Sequence, residues 1–218
     1  MRSIKRAGHA FRVVDARYNG WDFWEAFAGG AWERDTLAEV AALQPGDLLF
    51  DVGAWVGPIS LWAAAHGIRS IAIEPDPQAL DHLTKNVEAS GFADLITIVG
   101  KAIVAEPGLA TLNIQNGGGD SQSSMARTNM FDSIEVDGVT LESLLAEHGT
   151  PALIKVDVEG FEGVVVPAFG PTLRALGVPM LLGLHWGWIP DGTREALEDE
   201  LGRWTSRAID NDAVFMTP

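Results

Sequence analysis

At 218 residues, 47% of them hydrophobic and 21% charged, the chain has the length and composition of one globular domain with a full core. Its formal net charge of −15 repels phosphate backbones and anionic lipid surfaces, and no cluster of Lys and Arg builds a local basic groove, so neither nucleic acid nor membrane is an expected partner. The absence of cysteine removes disulfides, thiolate catalysis and zinc-thiolate or iron–sulfur centres, which fits a cytoplasmic protein.

No apolar run reaches the roughly 18 residues of a membrane span, and the basic start MRSIKRAGHAFRVVDARYNG lacks the apolar stretch of a signal peptide. Residues 1–46 interleave Tyr18, Trp21, Phe23, Trp24, Phe27 and Trp32 with Gly20, Gly29 and Gly30. They are expected to form a helical flap of the same domain, packed on a sheet. The same aromatics could roof a ligand or close a homodimer.

From Asp47 onward, short apolar runs alternate with amphipathic stretches, the pattern of βαβ units around a parallel sheet. Residues 47–218 therefore read as a Rossmann-like α/β domain. The expected order is strand Leu48–Val52, helix Pro58–His66, strand Ser70–Glu74, helix Pro77–Ser90 and strand Leu95–Val99. A short extra strand Ala110–Ile114 precedes a long Gly/Ser/Asn-rich loop, Gln115–Asp132, of a length more often functional than structural. A helix from Thr140 to Glu147 follows, then strand Leu153–Asp157, helix Gly160–Phe169, strand Met180–Leu184, helix Thr193–Arg207 and strand Ala213–Met216.

The strongest chemical signal is LLFDVGAWVG, Leu48 to Gly57: a buried strand turning through Gly53 and Ala54 into a helix. Such a turn lets a ligand approach the backbone and presents free N–H groups. Glu74 closes the next strand, where a carboxylate can accept both ribose hydroxyls of an adenosine. The three-glycine pyrophosphate fingerprint is absent, and Asp51 before the turn would repel pyrophosphate while suiting the cationic amine of a methionine moiety. The electrostatics favour S-adenosylmethionine over NAD.

The segments DVGAWVGPISLWAA, IEPDPQALDHLTKNV, VTLESLL and IKVDVEGFE resemble, in order and spacing, the FkbM-like family of class I S-adenosylmethionine-dependent methyltransferases, from about Trp32 to His185. The resemblance implies a seven-stranded, mostly parallel sheet with helices on both faces and O-methylation of a hydroxyl on a natural product or sugar-like small molecule. It implies that Asp51, Gly53, Ala54 and Gly57 surround the methionine part of the cofactor. Glu74 would hold the ribose, with Pro75 and Asp76 shaping the turn. Where the family has an Asn–x–Ala-like adenine segment this chain has Gly100, Lys101 and Ala102, so Lys101 and Ala102 would offer backbone contacts only. Ser121, Ser123 and Ser124 fall where relatives carry a segment near the methyl end.

Methyl transfer to an alcohol benefits from a base or a metal. His185, at a strand's carboxyl end with Trp186 and Trp188 beside it, is the candidate base. Asp157 and Glu159 would position the acceptor or bind Mg²⁺, an oxygen-seeking ion. Lys155 is costly in a central strand unless paired, so an ion pair with Asp157 or Glu159 is expected. His9, His66, His82 and His148 read as structural or solvated. Two other classes stay open: a non-catalytic scaffold on this fold, and an NAD-linked oxidoreductase, for which Tyr18, the chain's one tyrosine, offers no catalytic pair.

Overall fold

The computed structural model describes the chain apart from residues 15, 19, 116, 117, 120, 129–131 and 211. At its centre is a seven-stranded sheet. Strands β3 (Leu48–Val52), β4 (Arg69–Ile73), β5 (Ile96–Val99), β9 (Leu153–Val156) and β10 (Met180–Gly183) are parallel. Strands β11 (Thr205–Ala208) and β12 (Ala213–Thr217) add antiparallel, in the order β11-β12-β10-β9-β3-β4-β5. This is the expected sheet. The chain runs outward from β3 through β4 to β5, then returns to β9 on the other side of β3. The carboxyl ends of β3 and β9 thus flank the point where strand order reverses, the usual ligand crevice of an open α/β sheet.

Helices cover both faces: α3 (Pro58–Ala65), α4 (Pro77–Ser90), α5 (Leu141–His148), α6 (Glu162–Leu176) and α7 (Asp191–Leu201). Asp76 starts α4 by accepting the N–H groups of Gln78 and Ala79 at 2.8 and 3.2 Å, and Thr140 caps α5 in the same way. The helix expected to end at Phe169 continues to Leu176 despite Pro167 and Pro171, because its buried face Val165, Val166, Phe169 and Leu173 goes on packing on the sheet. The last helix, by contrast, stops at Leu201, before Gly202. Thr205–Ala208 forms an edge strand rather than the end of a helix running to Arg207.

The first residues also differ from expectation. The flap begins as a β-hairpin, β1 (Arg2–Arg6) and β2 (His9–Val13), turned by Ala7 and Gly8 at φ 46° and 88°, the two positive angles of a tight primed turn. Helices α1 (Phe23–Gly29) and α2 (Arg34–Ala41) follow. Phe23, Trp24 and Phe27 of α1 are wholly buried in one core with Ile4, Phe11 and Val13 of the hairpin and Trp62 of α3. The hairpin, α1 and α3 thus share one hydrophobic core.

A second departure is a small side sheet. The anticipated strand is β7 (Leu109–Ile114), and it pairs antiparallel with β8 (Asp132–Val139), which in turn pairs with β6 (Ala102–Ile103). The alternation of Ile134 and Val136 with Glu135 and Asp137 is a strand signal masked by its high acidity. The long loop lies between β7 and β8 as expected, and parts of it lie outside the described residues. No helix among the described residues is long and apolar enough to cross a membrane.

Candidate functional site

At the carboxyl end of β3, Gly53 takes φ 76°. A Cβ there would stand 1.8 Å from the Asp157 carbonyl oxygen at the end of β9, so glycine alone lets the two strands leave side by side. Gly53 and Ala54 donate their N–H groups to Ile73 at 3.0 and 3.1 Å, and Trp55 donates its own to Glu74 Oε2 at 2.8 Å. Glu74 Oε1 accepts from Asp76 N–H at 2.8 Å. These two bonds hold the carboxyl against the crevice, and burial pushes its pKa up to about 7.

The crevice at this point is a cavity of about 210 Å³. Of the expected cofactor residues, Gly53, Ala54, Glu74, Pro75 and Ala102 line it. Asp51, Gly57 and Lys101 are not among the lining residues. Asp51 is fully buried, with Oδ2 accepting from Ser60 Oγ at 2.7 Å and Oδ1 3.6 Å from Lys155 Nζ. Gly57 caps α3 from beneath, packed on Leu83.

The loop after β7 roofs this cavity. Gly119 N–H and Ser123 Oγ both donate to Asp76 Oδ2, at 2.8 and 2.6 Å. Trp55 Nε1 donates to the Gly119 carbonyl at 3.1 Å, and Ser124 Oγ to the Glu159 carbonyl at 2.6 Å. Ser121 and Ser123 line the cavity, and Ser124 anchors the loop to the residues after β9.

Lys155 Nζ donates to the Gly53 carbonyl at 2.8 Å and lies 3.5 Å from Asp157 Oδ2. Its partners are therefore Asp157 and Asp51, not Glu159. Burial would lower the Lys155 pKa, but Asp157, Asp51 and Glu33 around it outweigh burial and raise it.

His185 is held by Glu162, a wholly buried carboxylate that also accepts the N–H groups of Val158 and Gly160 at 2.9 and 2.8 Å. A carboxylate can only accept, so the 3.1 Å contact is Nδ1–H donating to Glu162 Oε1. Nε2 is thereby aimed at Asp157 Oδ1 and Glu159 Oε2, 3.7 and 3.8 Å away. Burial would lower the His185 pKa, yet Glu162, Asp157 and Glu159 together raise it to about 9. Burial and Asp157 push Glu159 up to about 8, and its φ of 55° is strained for a non-glycine residue. The imidazole stacks on Trp188 at 5.1 Å, and Arg127 lies over the same indole at 4.1 Å.

A second cavity, about 840 Å³, opens on the far side of this group. It shares Trp32, Glu33, Lys155, Asp157 and His185 with the first, and extends over Asp35, Asp210 and Asp212. His185 and Asp157 thus stand at the junction of two connected chambers.

The chain matches the family described as the precorrin methyltransferase domain over residues 33–155, more than half its length. It belongs to that family. The chain is thus a member of a methyltransferase family, with the fold of class I methyltransferases. None of the curated proteins matches it. Among solved structures, the methyltransferase resembles the FkbM methyltransferase of Methylobacillus flagellatus KT, with 16% identity and a TM-score of 0.56, over 87% of this chain and 47% of that one. The chain thus spans less than half the length of that relative. It also resembles precorrin-6y C5,15-methyltransferase of Geobacter metallireducens GS-15, with 12% identity and a TM-score of 0.51 over 95% and 91% of the two chains. A third likeness is to the O-methyltransferase of Bacillus cereus solved with S-adenosylhomocysteine, with 13% identity and a TM-score of 0.50 over 84% and 78%. These likenesses show a common fold, the one the FkbM-like motifs imply.

Sequence reasoning about the methyltransferase passed over two acids. Glu162 lies inside IKVDVEGFE, and its spacing from Asp157 and Glu159 hinted at a shared task. Glu33 had no signal of its own, because its place at both chambers depends on how the flap packs.

Proposed function

We propose that the methyltransferase moves the methyl group of S-adenosylmethionine to a hydroxyl oxygen of a small acceptor seated in the larger chamber. The oxygen attacks the methyl carbon in line, the carbon–sulfur bond breaks, and S-adenosylhomocysteine and a methyl ether result. The hydroxyl proton goes to Nε2 of the neutral form of His185, and because its neighbours raise its pKa to about 9, turnover should increase towards that pH. The observation that carries this reading is the position of His185, where a Glu162-held imidazole presents Nε2 between the two chambers. The Glu162 carboxylate stabilises the imidazolium that forms, as the buried acid does in catalytic triads.

The larger chamber carries Glu33, Asp35, Asp157, Asp210 and Asp212 against Lys155 and Arg34. A neutral or cationic acceptor suits these walls, and a polycarboxylate would be repelled. The site chemistry needs no nucleic acid or membrane, and we place the enzyme in the cytoplasm.

Mg²⁺ is the second candidate for activating the hydroxyl. One donor atom each of Asp157, Glu159 and His185 lies within 4.8 Å of the others. The fit is poor, because Mg²⁺ prefers an all-oxygen shell and the niche already holds the Lys155 ammonium. A chelator is expected to leave turnover unchanged. Loss of activity on chelation, restored by Mg²⁺, would put the ion in place of His185.

The test begins with calorimetric titration of S-adenosylmethionine and S-adenosylhomocysteine, with NAD as control, and continues with a screen of hydroxylated acceptors. His185→Ala should bind S-adenosylhomocysteine normally and lose turnover by about 10²–10⁴-fold. Full activity in that variant removes the assignment.

A further inference from the structure

Glu33 sits where the flap meets the sheet, lining both chambers. It occupies the N-cap position of α2 with φ 37° and ψ 52°, a left-handed conformation that costs a non-glycine residue about 1 kcal/mol or more. An acid at that position ordinarily caps its own helix. Here Asp210, from the turn between β11 and β12, accepts the N–H groups of Asp35 and Thr36 at 3.3 and 2.8 Å instead. The Glu33 carboxyl is left with no hydrogen bond among the described residues. The backbone leading to it is fixed. Arg6 donates to the carbonyls of Phe27, Gly30 and Trp32 at 2.9, 3.1 and 3.0 Å. Burial, with Asp157 adding to it, pushes the Glu33 pKa up to about 8.

A half-buried carboxyl on a strained backbone with no hydrogen bond is costly unless a ligand uses it. Cofactors of this class carry an α-ammonium on their methionine part, and the sequence suggested Asp51 as its partner. Asp51 is instead turned inward to Ser60 and Lys155, and Asp157 is paired with the same lysine. We propose that Glu33 is the binding residue for the α-ammonium of S-adenosylmethionine. Through it, the flap completes the cofactor site. Lys155 would act behind it, keeping Asp51 and Asp157 neutralised so that the ammonium is drawn to Glu33.

This rests on the cofactor reading, and the experiment separates the two. S-adenosylhomocysteine and methylthioadenosine share adenine, ribose and sulfur, but the second lacks the amino-acid group. Both are titrated calorimetrically into wild-type protein, Glu33→Gln and Glu33→Asp. Glu33→Gln is expected to weaken S-adenosylhomocysteine on the order of tenfold or more, to leave methylthioadenosine within about twofold, and Glu33→Asp to recover part of the loss. Equal weakening of both ligands would mean a structural role and overturn the proposal, as would unchanged binding of both. Failure of the wild-type protein to bind S-adenosylhomocysteine would instead defeat the cofactor reading, and this proposal with it.

Discussion

Glu162 is the residue on which the geometry around His185 turns. It has no exposure, it accepts two backbone N–H groups of the strand-end loop, and it fixes which imidazole nitrogen of His185 faces the chambers. Replacing it by Gln keeps the shape but removes the negative charge and turns one acceptor into a donor. The expected results are a fall in the His185 pKa from about 9 towards its ordinary value, visible as a shift of the imidazole NMR titration, and a loss of about 1–3 kcal/mol in chemical denaturation. An unmoved titration would show that Asp157 and Glu159 hold the proton without it. Gly53 makes a contrasting case, because its importance was legible in DVGAWVG but for an incomplete reason. The glycine admits the Asp157 carbonyl, not only a ligand. Gly53→Ala should therefore lower the melting temperature of the ligand-free protein, and a variant that lost only cofactor affinity would contradict that.

At the level of elements, the roof is the part the sequence described least well. Ser121, Ser123 and Ser124 were legible as a polar loop near the site, but nothing local told that Asp76 would bind it while also capping α4. That dual use arises from long-range packing: the side sheet β6-β8-β7 brings the loop back over Glu74. The acidic spacing of β8 hid the strand that does so. The central strands, by contrast, were readable almost to the residue, because a buried parallel sheet demands continuous apolar runs with little freedom. The flap failed in a related way, since its hairpin strands are short and basic and its helices are defined by aromatic packing rather than periodicity. The tether makes a prediction. Ser123→Ala removes one of the two loop bonds to Asp76 while sparing the α4 cap. S-adenosylhomocysteine should then dissociate several-fold faster in stopped flow, matching about 1 kcal/mol for one lost hydrogen bond. An unchanged off-rate would show that Gly119, Trp55 and Ser124 hold the roof without it.

The whole molecule concentrates acids around its two chambers, and this shapes its stability. Glu33, Glu159 and Glu74 all have folded pKa values above the ordinary carboxyl value of 4.5, at about 8, 8 and 7, and His185 lies above 6.5 at about 9. In every case the folded state holds its proton more tightly than the unfolded chain. The resulting stabilisation is full below the unfolded pKa and is lost as pH rises through the folded one. The windows join, from 4.5 to about 8 for the acids and from 6.5 to about 9 for the histidine. A net charge of −15 adds self-repulsion in the same direction. The ligand-free protein should therefore melt highest near mildly acidic pH and progressively lower towards pH 9, opposite to a fold whose carboxylates are all paired. A cofactor that supplies an ammonium and a sulfonium offers these carboxylates the partners the apo fold lacks. Saturating S-adenosylmethionine should accordingly raise the melting temperature more at pH 8 than at pH 6. A thermal shift that is equal at the two pH values would mean that the buried acids do not face the bound cofactor, and would move its methionine end away from Glu33 and Glu159.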